Sequence, residues 1–182
     1  MISDMVGCAM DGVSCHMSLM MPGTAAPYHQ ALGAGDIRTL YHATDVNGAN
    51  SILENGIDLS RGRLNLDFNP SSQPGFYLTA DLNQAQLWAA KRFGGKGTVL
   101  EYNVPVSELK VLNGRIFNQA DEDWTNFVFA GRNGQLIHNY DYVEGPYLSL
   151  ATGKGVGHQL ALFTSQATEL FNAHLRREYG LD

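Results

Sequence analysis

The chain has 182 residues, 44% of them hydrophobic and 16% charged, with a formal net charge of −6. That length suits one domain with its own core, and no run approaches the roughly 18 apolar residues of a membrane-spanning helix. The acidic balance disfavours a broad nucleic-acid surface, which needs clustered Lys and Arg, but leaves room for a local basic patch.

Residues 1–35 differ from the rest. All six methionines lie between Met1 and Met21, and no Lys or Arg precedes Arg38. The start is uncharged or acidic and Asp11 interrupts the apolar residues, unlike a secretory signal. The stretch is expected to be a loosely packed leader or linker, a junction to something larger upstream. Cys8 and Cys15 both fall within it. They are too few for a disulfide framework and lack His at zinc-like spacing, so no metal is assigned.

The folded part, residues 36–182, starts near Asp36. Residues 39–44 read as a strand. Asn47 is placed to cap a helix carrying Ala49, Ile52 and Leu53, with Gly56 as its stop. Residues 57–74 have no period and read as a long loop containing Arg61, Arg63, Asp67 and Asn69. Loops of that length in compact domains are often functional. Residues 75–79, Gly-Phe-Tyr-Leu-Thr, form a strand after Pro74. Asp81 with Gln84 has capping-box form and opens a helix to Phe93, with an apolar stripe of Leu82, Ala85, Trp88, Ala89 and Phe93.

Residues 98–104 alternate as a strand stopped by Pro105, and Val111 with Leu112 suggests another. Asp121, Glu122 and Asp123 give a helix its negative N-terminus; Trp124, Phe127 and Val128 are its apolar face and Gly131 its stop. A strand over residues 140–144 closes at Gly145-Pro146. Residues 149–157 read as a mobile Gly-rich loop, where Lys154 lacks P-loop spacing. Residues 158–164 read as the last strand, and Ser165 caps a final helix with Ala167, Leu170, Phe171 and Leu175 inward. Without regular βαβ alternation, the class is α+β.

Several of these stretches, in this order, resemble a known family. Tyr41-His42-Ala43-Thr44, Asp67-Phe68, Gly75-Phe76-Tyr77-Leu78-Thr79, Gln84-Ala85 and Trp88-Ala89 look like the ADP-ribosyltransferase fold. The branch is the histidine–tyrosine one, which includes diphtheria toxin and the poly(ADP-ribose) polymerases. The resemblance is closer to a bacterial group of DUF3990-like toxin domains. That group's Trp-x-x-Phe-Val helix is matched by Trp124, Phe127 and Val128, and its Tyr-Asp-x-Val-x-Gly-Pro strand by Tyr140, Asp141, Val143, Gly145 and Pro146. Its Gln-leading last strand is matched by residues 159–163, so the resemblance covers residues 38–175.

The resemblance implies two small packed sheets with flanking helices and a cleft that takes NAD as substrate. His42 would bind a ribose hydroxyl, and the backbone of Ala43, where the family usually has Gly, the nicotinamide amide. Thr44 and Asp67 would join them in cofactor binding. Tyr77 would stack on the nicotinamide, and Trp88, eleven positions later, would cover its other face. Gln159 occupies the position of the branch's catalytic glutamate, giving Gln159, His42 and Tyr77 as the catalytic set. The implied activity is mono-ADP-ribosyl transfer to a protein side chain or to RNA or DNA, in the cytoplasm of a target cell. Delivery as part of a larger secreted protein and a neutralising immunity partner go with that, and no membrane association does.

The residue types suit such chemistry. Breaking the nicotinamide–ribose bond builds positive charge on the sugar, which aromatic faces and a group near the 2′-hydroxyl help to stabilise. Gln159 is neutral and cannot deprotonate an acceptor; Asp67, Asp141 and Glu144 are candidates for that task. Glu in place of Gln159 is expected to restore a carboxylate and to keep or raise activity. Each residue also has a plainer reading: His42 as a satisfied structural histidine, Tyr77 and Trp88 as core, the arginines as solvated surface, and His158 in place of Gln159 if the strand faces the other way. An NAD glycohydrolase, a non-catalytic nucleotide-binding module and an RNA 2′-phosphotransferase are the rival functions. The last relies on a set of arginines that this sequence does not match.

Overall fold

The computed structural model describes Gly33 and residues 35–180. The expected leader, with Cys8 and Cys15, lies outside the described residues except for Gly33 and Gly35. The class is α+β, with seven strands in two sheets and five α-helices among the described residues.

In the first sheet β1 (Ile37–Asp45) pairs antiparallel with β3 (Gly97–Pro105) along its whole length, and β7 (Leu175–Gly180) pairs with the other edge of β3. The second sheet runs in the order β2 (Phe76–Leu78), β6 (Lys154–Leu162), β5 (Tyr142–Ser149), β4 (Gly114–Ile116), with β4 parallel to β5. Alternation turns Leu40, Leu100, Tyr102 and Val104 of one sheet and Phe76, Leu78, Leu160 and Leu162 of the other into a shared core. Ala167 and Phe171 of α5 (Ser165–Ala173) join that core. Helices take the sheets' other faces. Ala85 and Ala89 of α2 (Leu82–Phe93) pack with Val99, and Trp124 and Val128 of α4 (Glu122–Arg132) pack with Val143 and Ala161.

The sheets are also joined by polar groups. Tyr41 and Thr79 exchange backbone hydrogen bonds of 2.7 and 2.9 Å. Arg38 on β1 pairs with the buried Glu144 on β5, and His158 Nε2 donates to the same carboxylate at 2.7 Å. The Ala80 N–H donates to His158 Nδ1 at 3.0 Å, which fixes the tautomer. Burial alone would push the Glu144 carboxyl up, but the bonds from His158 and Arg38 outweigh it and hold it at about 2.

Some boundaries differ from the sequence reading, each for a local reason. α1 (Val46–Asn55) is capped by Asp45, which accepts from the Gly48 N–H at 2.6 Å, so Asn47 already lies in the first turn. Asp81 caps α2, but Gln84 does not close the box. Its amide donates to His158 O at 2.7 Å and accepts from His158 N at 3.3 Å, continuing the β6 ladder beyond the end of β2. Val111 and Leu112 lie in the turn after α3 (Val106–Leu109), and the strand is β4.

Gly131 does not stop α4. It is buried within the helix, where a Cβ would come 2.5 Å from Asp67 O, so its missing side chain permits a helix–loop contact. β5 runs through Gly145-Pro146 with a register shift there, past its last β4 pair, where a missing proline N–H costs nothing. Residues 149–157 are the last residue of β5, a hairpin turn and the first residues of β6. Thr164 rather than Ser165 caps α5, and Leu175 opens β7 instead of ending the helix. β6 is therefore not the last strand. β7 carries exposed Arg176, Arg177 and Glu178 and has no apolar alternation to announce it.

Candidate functional site

A cavity of about 480 Å³ opens between β1, α1, the loop after α1, the start of β2 and the last turn of α2. That size suits a small-molecule ligand. Its wall includes His42, Ala43, Thr44 and Tyr77 together with Phe76, Arg61, Arg63 and Arg92. The alternation of β1 explains the near side. Tyr41 and Ala43 pack beneath α2, whereas the ring of His42 stacks on Phe76 at 3.9 Å between centroids. Thr44 is buried beneath the first turn of α1, where a Cβ on Gly48 would meet the threonine Oγ1 at 2.2 Å.

His42 Nδ1 lies 2.7 Å from the Tyr77 carbonyl oxygen. A carbonyl only accepts, so Nδ1 carries the proton and donates. Burial, with a further contribution from the positive charge of Arg92, lowers His42 to about 4 against the pull of the Tyr77 carbonyl. At neutral pH the ring is uncharged and Nε2 is a hydrogen-bond acceptor.

Tyr77 points away from the shared core, against the cluster of Phe68, Ala161 and Phe163. Its hydroxyl donates to Asn69 Oδ1 at 2.6 Å and accepts from the Phe68 N–H at 3.0 Å. Burial pushes that hydroxyl well above its ordinary range. The ring is thus fixed at its far end by the loop that covers the cavity.

The remaining expected residues lie elsewhere. Gln159 and Asp67 are both buried and meet each other: Gln159 Nε2 donates to Asp67 Oδ2 at 2.8 Å and to Pro146 O at 3.3 Å. Asp67 Oδ2 also accepts from the Leu148 N–H at 2.6 Å, and Oδ1 from Arg132 Nε at 2.6 Å. Neither Gln159 nor Asp67 is part of the cavity wall. The amide orientation follows from chemistry, since the reverse would set its oxygen against a carboxylate. Trp88 also stands outside the wall, one turn along α2 from Gln84, with its ring edge-on to Tyr147 at 5.4 Å.

Residues 39–152 match the model of a protein family of unknown function, DUF3990. The chain belongs to that family. A search of curated proteins finds no relative that matches it.

In this DUF3990 domain each candidate acceptor base is engaged. Glu144 is held by Arg38 and His158, and Asp67 by Arg132, Gln159 and Leu148. Asp141 accepts from Thr164 Oγ1 at 2.7 Å and the Asn113 N–H at 2.8 Å. No group of three metal-ligating side chains occurs among the described residues, and none of their helices is long and apolar enough to cross a membrane. The sequence reading takes the arginines as solvated surface charges; Arg61, Arg63 and Arg92 are exposed and also line the cavity. It passed over Phe76 as the platform for His42 and Asn69 as the partner of Tyr77. The place of Asn69 directly after Asp67-Phe68 was the available signal.

Proposed function

We propose that this DUF3990 domain adopts the ADP-ribosyltransferase architecture, binds NAD in the 480 Å³ cavity and transfers its ADP-ribose to a macromolecular acceptor, releasing nicotinamide. The observation that carries the reading is the arrangement of His42. With Nδ1 committed to the Tyr77 carbonyl and burial keeping the ring neutral, Nε2 is left to accept from a sugar hydroxyl. A cationic imidazole could not do this. The tie also joins the two stretches, Tyr-His-Ala-Thr and Gly-Phe-Tyr-Leu-Thr, that carry the family resemblance.

In the proposed reaction the bond between the ribose and the nicotinamide nitrogen breaks. Its electron pair returns to the pyridinium, which leaves as neutral nicotinamide. The sugar carbon becomes cation-like and is captured by the acceptor's nucleophile, which gives up a proton. His42 holds the sugar, and the rigid Tyr77 ring is the face for the leaving nicotinamide. With Asp67, Asp141 and Glu144 all engaged, an acceptor that is already nucleophilic fits better than one needing a protein base. As a toxin or effector domain it would act in the cytoplasm of a target cell, carried by a larger secreted protein and restrained by an immunity partner.

A second reading, a nucleotide-binding module without transfer, is favoured by one observation: both Gln159 donor contacts lie inside the Asp67–Pro146 network, away from the cavity wall. Calorimetry with NAD, paired with nicotinamide release in the presence of lysate, separates the two. Binding with release and with ADP-ribose attached to lysate macromolecules supports transfer, release with free ADP-ribose supports hydrolysis, and binding alone supports the module. No binding by the wild-type protein, or equal binding by His42→Ala, removes both.

A further inference from the structure

Arg63 and Arg92 stand in one cavity wall, the first from the loop and the second from the last turn of α2. Neither has a carboxylate partner among the described residues. Besides burial, the charge of Arg63 is what disfavours the charged form of Arg92, so the two cations feel each other. Two like charges at one wall are held at a cost unless an anion joins them.

The other charges of the wall are already engaged. Arg61 donates to Ser51 Oγ, Asp45 caps α1, and Asp58 accepts from the Ser60 N–H at 2.9 Å. The backbone of Arg63 is also held in place. Asn69 Nδ2 donates to its backbone oxygen at 2.7 Å, and Asn69 is in turn held by the Tyr77 hydroxyl at 2.6 Å.

We infer that Arg63 and Arg92 are a binding pair for a diphosphate group, so that the cavity takes a nucleoside diphosphate moiety with its sugar toward His42. This deepens the NAD reading, whose substrate carries such a group, and names the residues that select for it. Two separate guanidiniums match two linked phosphates, each donating to phosphate oxygens. The cavity volume leaves room for the nucleoside beside them.

The test is calorimetry with ADP and with adenosine on the wild type and on Arg63→Ala, Arg92→Ala and Arg92→Lys. Both arginines are exposed, so the variants are expected to fold, and a urea melt verifies this. ADP should bind the wild type at least about ten-fold more tightly than adenosine does, the scale of one charge-assisted hydrogen bond. Each Ala variant should lose roughly that factor for ADP and none for adenosine, and Arg92→Lys should recover part of it. Failure of ADP to bind, or unchanged ADP affinity in both Ala variants, overturns the inference. ADP held through the arginines while NAD stays uncleaved would remove the transferase reading and leave this one. NAD cleaved with wild-type KM by both Ala variants would remove this one alone.

Discussion

Gln159→Glu tests the buried network most severely, because it sets a second carboxylate against Asp67. Gln159 donates to Asp67 Oδ2 at 2.8 Å and to Pro146 O at 3.3 Å. An ionised glutamate can donate to neither. It forfeits a hydrogen bond to a charged group, about 1.5–3 kcal/mol. It also sets a second charge beside the first, where two unit charges ~4 Å apart at an effective dielectric of about 20 repel by ~4 kcal/mol. Arg132 and the Leu148 N–H offset part of that repulsion. The escape is for the introduced carboxyl to take up a proton and donate it to Asp67. Protonating a carboxyl of ordinary pKa, about 4.3, costs ~4 kcal/mol at pH 7.5 and ~1 kcal/mol at pH 5.

The variant should therefore lose about 3–4 kcal/mol of stability at pH 7.5 and only about 1 kcal/mol at pH 5. The sign follows from the raised folded-state pKa. Between the unfolded and folded values the folded chain binds more protons, so the penalty is absent below the unfolded value and grows as pH rises through the folded one. Urea unfolding at the two pH values is the assay, with Gln159→Leu as a control whose loss carries no such pH dependence. A Gln159→Glu protein within about 0.5 kcal/mol of wild type at pH 7.5, a typical surface-substitution effect, would refute the network. So would a loss that does not shrink at pH 5.

Three further outcomes are expected. Tyr77→Phe keeps the ring but strips the Phe68 N–H and Asn69 of their partner, so urea unfolding should show a loss of about 1–3 kcal/mol; calorimetry should show weaker NAD binding, with Tyr77→Ala weaker again. His42 is held at about 4 in the folded chain against an ordinary value of 6.5, so its contribution to stability is full above 6.5 and is lost as pH falls toward 4; unfolding midpoints of His42→Gln between pH 7 and 4.5 should fall less steeply than those of wild type. A chain truncated to begin at Gly35 should keep the wild-type melting temperature and turnover, whereas one that also lacks Asp36 should melt lower, because the Asp36 carbonyl accepts from the Val106 N–H at 2.9 Å.

Much of the fold was legible because local chemistry decides it. Aspartate ahead of an apolar period marked α2 and α4, a β-rich run marked β1, alternation marked β3, and Gly56 and Gly94 end their helices with positive φ. What the sequence hid was set by distant partners. Gln84 has the spacing of a capping box but is taken by the backbone of His158. Gly131 looks like a helix stop and is a contact with Asp67. β7 is polar because it lies at a sheet edge, so its strand character comes from pairing with β3. At the site, His42, Ala43, Thr44 and Tyr77 were readable as a group and do share one wall. The union of Asp67 with Gln159, 92 positions apart in sequence, and the convergence of Arg63 with Arg92 depend on how the loop folds back, which no local pattern encodes.

The most direct test of the central claim is incubation of the protein with NAD labelled on its adenylate half and a cell lysate, followed by nuclease or protease digestion. The account predicts label on macromolecules, matched by released nicotinamide, and loss of both in His42→Ala. Which digestion frees the label identifies the acceptor as nucleic acid or protein. Recovery of all the label as intact NAD or as free ADP-ribose from the wild-type reaction would contradict the account.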